Sequence, residues 1–156
     1  MTITRRGKAA AVLIAPEDLA TLMEALAWLS DPDHAAEMAE AEEAVAQGRT
    51  LRHRRGARAA GLATVTDVDG GWEVRLSPPA ARMLYQLPPR LADAVIRFCD
   101  EPLASNPYRV TKALGAELAG QRAGYVGIGF GVLVRIDDDQ RLVTVMRMAY
   151  RADAYR

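Results

Sequence analysis

At 156 residues, half of them hydrophobic and 26% charged, the chain suits one compact domain with a smaller appendage and excludes a disordered polar tract. Equal numbers of acidic and basic residues cancel, but the signs are segregated. Residues 1–48 hold three basic and nine acidic groups, a net of −6, while residues 49–156 hold seventeen and eleven, a net of +6.

Such a split implies either that the halves associate or that the basic half meets an anionic partner. The lone cysteine, Cys99, forms no intrachain disulfide and falls on the apolar side of a predicted helix, as a small core residue. No Cys/His cluster has metal-ligand spacing, so neither a metal nor another cofactor is expected. No apolar run matches a membrane span and no signal peptide is recognisable, so no membrane partner and a cytoplasmic location are expected.

In chain order, residues 2–4 and 9–15 predict two short strands around the turn Arg5-Arg6-Gly7-Lys8. Pro16 suits the first position of a helix, with Glu17 and Asp18 at its positive end, and Leu19, Leu22, Met23, Leu26 and Leu29 give it one apolar stripe. Ser30 or Asp31 can cap a second helix that Gly48 ends; it is mostly Ala and Glu and needs a partner surface. Five arginines and His53 fall within residues 49–58. Strands are predicted over residues 62–68 and 72–76 around Asp69-Gly70-Gly71. Ser77 caps a helix that Pro88-Pro89 breaks, and a further helix with Leu91, Val95 and Phe98 ends at Pro102. A loop or short helix holds Arg109, Lys112 and Leu114. Strands over residues 125–126, 130–137 and 142–149 close the pattern, with Asp137-Asp138-Asp139 as the last turn. This order predicts an α+β fold, a helical hairpin on one face of an antiparallel sheet and the other face open to a ligand, preceded by a β-hairpin with helices.

Gly124, Gly127, Gly129 and Gly131 sit in the strand region without the lysine and helix of a phosphate loop, and no Ser–His–acid set is plausible. The remaining reactive groups are Arg109, Lys112, Arg122, Arg135, Arg147, Tyr150, Arg151, Tyr155 and Arg156. Arg and Lys can neutralise phosphates and a phosphoryl transition state; Tyr can stack on a base or exchange a proton with a ribose hydroxyl. RNA cleavage by its own 2′-OH needs no metal. The competing reading, a solvated arginine face with packing tyrosines, is the more common outcome for such a pattern.

Trp72-Glu73-Val74-Arg75-Leu76-Ser77, Ala81 to Leu87 with Pro88, Pro102-Leu103, Asn106-Pro107, Leu114-Gly115, Leu118-Ala119-Gly120, Val132-Leu133-Val134-Arg135-Ile136-Asp137 and the ending Tyr150 to Arg156 follow one order. From about Gly71 onward that order resembles the RelE-type toxins, ribosome-dependent mRNA endonucleases of bacterial toxin–antitoxin systems. The resemblance implies catalytic roles for Arg151, Lys112 and Arg122 at the scissile phosphate and for Tyr155 in stacking or proton transfer. Arg109, Arg135, Arg147 and Arg156 would contact RNA. Gly131 stands where the family pattern carries an arginine; either Arg122 or Arg135 substitutes, or activity is weakened or lost.

Ile3-Thr4-Arg5-Arg6-Gly7-Lys8, Ala11 to Ala15, Pro16-Glu17-Asp18-Leu19 and the leucine stripe resemble the Phd/YefM-type antitoxins. Those proteins dimerise, bind operator DNA and neutralise a toxin. The match begins partway into their fold, so operator DNA is not an expected partner; a homodimer is compatible with it. The resulting expectation is a fused antitoxin–toxin protein: residues 1–50 antitoxin-like, 51–70 a basic linker with a possible extra strand, 71–156 RelE-like. Residues 49–61 are a solvated linker or an RNA-contacting strip. The first segment would inhibit the second, whose partner would be mRNA on the ribosome, with the acidic helix over residues 32–47 against basic residues. The alternative is a non-catalytic toxin-like module that binds a protein or DNA.

Overall fold

The computed structural model describes residues 1–53, 71–115 and 118–151. The chain begins with an antiparallel hairpin of β1 (Thr2–Arg5) and β2 (Lys8–Val12), turned by Arg6 and Gly7 at positive φ. Helix α1 (Pro16–Leu29) starts at its proline with Glu17 and Asp18 in the first turn, where they offset the exposed N–H groups. Helix α2 (His34–Ala46) follows a turn in which the Asp31 carboxylate accepts a hydrogen bond from the Asp33 N–H at 3.0 Å. A two-residue strand, β3 (Leu51–Arg52), then joins the main sheet. The strand expected over residues 62–68 lies outside the described residues, as do Tyr155 and Arg156.

The second half runs β4 (Glu73–Leu76), α3 (Pro78–Gln86), α4 (Pro89–Phe98), α5 (Pro107–Val110), β5 (Thr111–Ala113), β6 (Arg122–Val126), β7 (Phe130–Asp137) and β8 (Leu142–Tyr150). Pro102 does not stop the chain at α4; it sits inside a π-helical turn over Cys99–Leu103 that extends the helix. Lys112, expected in a loop or short helix, lies in strand β5.

The sheet order is β3-β4-β8-β7-β6-β5. It is mixed rather than wholly antiparallel, because β4 and β8 run parallel while their other neighbours run antiparallel. The long crossover through α3, α4 and α5 allows this, since it returns the last strand beside the first. The α+β class holds. Ser77 sits at the junction and serves two elements. Its hydroxyl caps α3 by accepting from the Ala80 N–H at 3.3 Å, and donates to the Met146 carbonyl at 2.7 Å.

That carbonyl belongs to a bulge. Leu133 pairs with Arg147 and Val134 with Val145, so Met146 is the extra residue in β8. Consequently Met146 and Arg147, though adjacent, both belong to the same side of the sheet. The two faces carry separate cores. Val74, Leu76, Val132, Val134, Val143, Val145 and Met148 pack with α3 and α4. Ala123, Leu133, Met146 and Ala149 pack instead with Ala25, Trp28, Met38 and Ala41 of α1 and α2. The face expected to stand open is therefore roofed by the chain's own N-terminal helices.

Candidate functional site

The roofed face is where the basic strands meet the acidic helices. Strand alternation puts Gly131, Leu133 and Arg135 of β7 on that side. Cross-strand partners share a face, so Ala123 and its partner Lys112 belong there too, Lys112 at the exposed edge. Arg147 rises from the bulge. Arg151, just past β8, is held by its backbone N–H donating to the Gly129 carbonyl.

The three arginines, Arg135, Arg147 and Arg151, each meet a carboxylate from the first segment. Arg147, its side chain only 4% exposed, donates to Asp31 at 2.8 Å and to Glu37. Arg151, 5% exposed, donates to the Glu24 carboxylate and to the Glu24 backbone carbonyl, each at 3.2 Å. Nearer the rim, Arg135 pairs with Glu42 at 3.0 Å and Arg82 binds Glu40 through both nitrogens at 2.6 and 2.7 Å. Charges this well covered are screened little by salt, whereas the two rim pairs contribute less.

Trp28 fills the centre and is fully buried. The Arg151 guanidinium lies 4.4 Å and that of Arg147 5.7 Å from its ring centroid, both at cation–π range. Its indole N–H donates to Glu24 at 2.7 Å, and Glu24 also accepts from the Tyr125 hydroxyl. One buried glutamate thus joins α1 to β6 and to Arg151. His34 lies against the same ring, and burial, with Arg147 close by, pushes its pKa down. Burial raises the Asp31 pKa, but hydrogen bonds from Arg147 and the Asp33 N–H outweigh it and leave the carboxyl below its ordinary value.

Gly131 now has a physical reason. A Cβ there would come 2.9 Å from the Trp28 ring and 2.9 Å from the Arg151 side chain. An arginine at this position and a docked Trp28 exclude each other. Gly127 and Gly129 adopt positive φ in the turn between β6 and β7, so the glycine-rich stretch is a hairpin, not a nucleotide loop.

The remaining candidates divide. Arg122 points to the opposite face, where it stacks on Tyr108 at 5.0 Å and donates to the Thr111 hydroxyl at 2.9 Å. Arg109 is exposed in α5. The structure therefore gathers Arg135, Arg147 and Arg151 beneath the helices, with Lys112 at the edge, and keeps Arg122 apart. Glu24, Trp28 and Asp31 were missed by sequence reasoning. The i, i+4 spacing of Glu24 and Trp28, off the leucine stripe, was the available signal. The stripe itself faces out, with Leu22 and Leu26 more than half exposed.

Among curated proteins, the chain is 41% identical over 85 residues to toxin RelG of Mycobacterium tuberculosis, covering 54% of this chain and 97% of that one. The chain belongs to the RelE toxin family. Toxin RelE of the same organism is 34% identical over 88 residues, 56% of this chain and 90% of that protein. Antitoxin RelF, also from M. tuberculosis, is 42% identical over 50 residues, 32% of this chain; the match spans about half (54%) of that antitoxin. The crystal structure of the toxin–antitoxin complex RelBE2 from that organism is similar at a TM-score of 0.50 and 40% identity, covering 53% of this chain and 94% of the matched one. No family model matches the sequence. A RelE-like domain fused behind an antitoxin-like segment accounts for the paired toxin and antitoxin relatives, and for the α+β fold.

Proposed function

We propose that residues 71–156 form a RelE-type toxin directed at mRNA on the ribosome, that residues 1–50 restrain it in cis and that residues 51–70 link the two. What supports this is the burial of Arg147 and Arg151 beneath Trp28, with Glu24, Asp31 and Glu37 supplying the charge that a phosphodiester would otherwise supply. Arg151, Arg147 and Lys112 share one face and would hold the RNA backbone, with Arg135 beside them; Arg109 and Arg156 would add further RNA contacts. Arg122 supports that face from beneath by fastening β6 to β5. Tyr155 would stack on a base or move the proton. The linkage keeps the segment at high local concentration, so modest contacts suffice to cover the site.

Reversing two carboxylates in the full chain, Asp31→Lys with Glu37→Lys, should push the segment off Arg147. Expression of that variant should arrest bacterial growth and cleave mRNA, whereas the unaltered chain should not. An undocked but inert variant would favour the non-catalytic module. In a toxic variant, Tyr155→Phe should lower cleavage; unchanged cleavage removes Tyr155 from proton transfer.

A second copy of the chain is a further partner that the surface suits. The N-terminal segment carries an exposed apolar stripe on α1 (Leu19, Leu22, Leu26), a basic hairpin turn (Arg5, Arg6, Lys8) and an acidic start of α1 (Glu17, Asp18), and apolar surface accompanied by groups of both signs suits a two-fold pair. Sedimentation should give a dimer that Leu22→Glu with Leu26→Glu dissociates. Action on ribosome-bound mRNA would place the protein in the cytoplasm; among the described residues no helix is long and apolar enough to cross a membrane.

A further inference from the structure

Most inhibitor contacts on the roofed face could be made to any sheet carrying arginines. The contact at Gly131 could not. The Trp28 ring and the Arg151 stem both close over this one backbone position, at distances that leave no room for a Cβ. Neither neighbour can step aside cheaply. Trp28 is fully buried and its indole N–H is held by Glu24. Arg151 is tied at its backbone to Gly129 and at its guanidinium to Glu24. By contrast, a Cβ at Gly115, on the chain leading from β5, would meet nothing within 4 Å.

We infer that Gly131 and Trp28 are a matched slot and plug that sets the specificity of restraint. The segment docks on a RelE-type sheet only where position 131 carries no side chain, and a domain of the same fold with a larger residue there escapes it. The inference deepens the cis-restraint reading and rests on it for its biological consequence, but docking and toxicity are read separately below.

The experiment is amide hydrogen exchange of the full chain with Gly131→Ala, Trp28→Phe, the two combined, and Gly115→Ala as the control. Gly131→Ala should speed exchange in α1 by about ten-fold or more, the scale on which overpacking a tight contact acts. Exchange in α4 and the Gly115→Ala control should stay near the unaltered chain. In the Trp28→Phe background the shorter ring removes one of the two clashes and opens space into which the Arg151 stem can shift, so adding Gly131→Ala should change α1 exchange less. Unchanged exchange in Gly131→Ala overturns the inference. So does an equal acceleration in both Trp28 backgrounds, including one produced by loss of the whole fold. If docking fails as expected while cells tolerate the variant, the cis-restraint reading falls and the slot and plug stand.

Discussion

Replacing Glu24 by alanine tests the arrangement at its most connected point. The carboxylate accepts from the Trp28 indole, from Arg151 and from the Tyr125 hydroxyl, and is itself only 6% exposed. Removing it strands the Arg151 guanidinium, whose side chain is 5% exposed, without its counter-charge. Breaking a buried pair in this one-sided way costs about 3–5 kcal/mol. Tyr125 is half-exposed and regains water, so it adds little. For a chain of this size each kcal/mol shifts the melting temperature by about 2–4 °C, so Glu24→Ala should melt about 10 °C lower. Thermal denaturation followed by circular dichroism measures this, with Glu17→Ala, an exposed first-turn residue, as the comparison. A shift below about 2 °C, or one equal to that of Glu17→Ala, would refute the view that Glu24 fastens the segment to the sheet.

Three other perturbations follow from the same geometry. Ser77→Ala removes both a helix cap and the donor to the bulge carbonyl of Met146 and should cost about 2–3 kcal/mol in urea denaturation, whereas Ser77→Thr should recover part of it. His34 has a folded-state pKa below its unfolded value of 6.5, so the unfolded chain takes up the proton first and stability falls as pH drops below 6.5. The denaturation midpoint should be lower at pH 5.5 than at pH 7.5, and His34→Gln should flatten that difference. Cys99 is buried and its thiol is pushed up to about 12, by burial first and then by Asp100, so it should resist alkylation at pH 8 until the chain is denatured.

Local chemistry made much of the fold readable. Pro16, Ser77 and the Pro88-Pro89 pair mark helix ends through backbone constraints that act without tertiary help, and the helices begin and end close to those marks. The parallel pairing of β4 with β8 was not readable, because strand direction depends on where a long crossover returns. Nor was the docking face of α1. Its leucines carry the helix's visible apolar stripe, yet the buried surface is Ala25, Trp28 and a glutamate, residues that a hydrophobic pattern undervalues. Charge segregation foretold that α2 would lie against arginines, since attraction over that range needs only sign. It could not say which arginines. The β8 bulge turns Arg147 inward, and a one-residue insertion in a ladder leaves no mark in composition. Gly131 was legible as an anomaly, but its meaning required seeing the ring that occupies the space above it.

The short strand β3 carries one more consequence. Its two residues pair along β4, and His53 extends the contact through its N–H to the Val74 carbonyl while its ring meets the Asp100 carboxylate at 2.6 Å. The N-terminal segment together with the first linker residues, 51–53, therefore covers one broad side of the sheet and also pairs along its outer border. Were it withdrawn, Leu133, Met146 and Ala149 would face water beside a strand with unpaired backbone groups, the combination that drives edge-to-edge aggregation. On the proposed cis-restraint reading the same segment would also serve as a folding escort. A toxin sheet freed of it would be sticky before it was harmful, because the helices that restrain it are also what keeps those side chains from water.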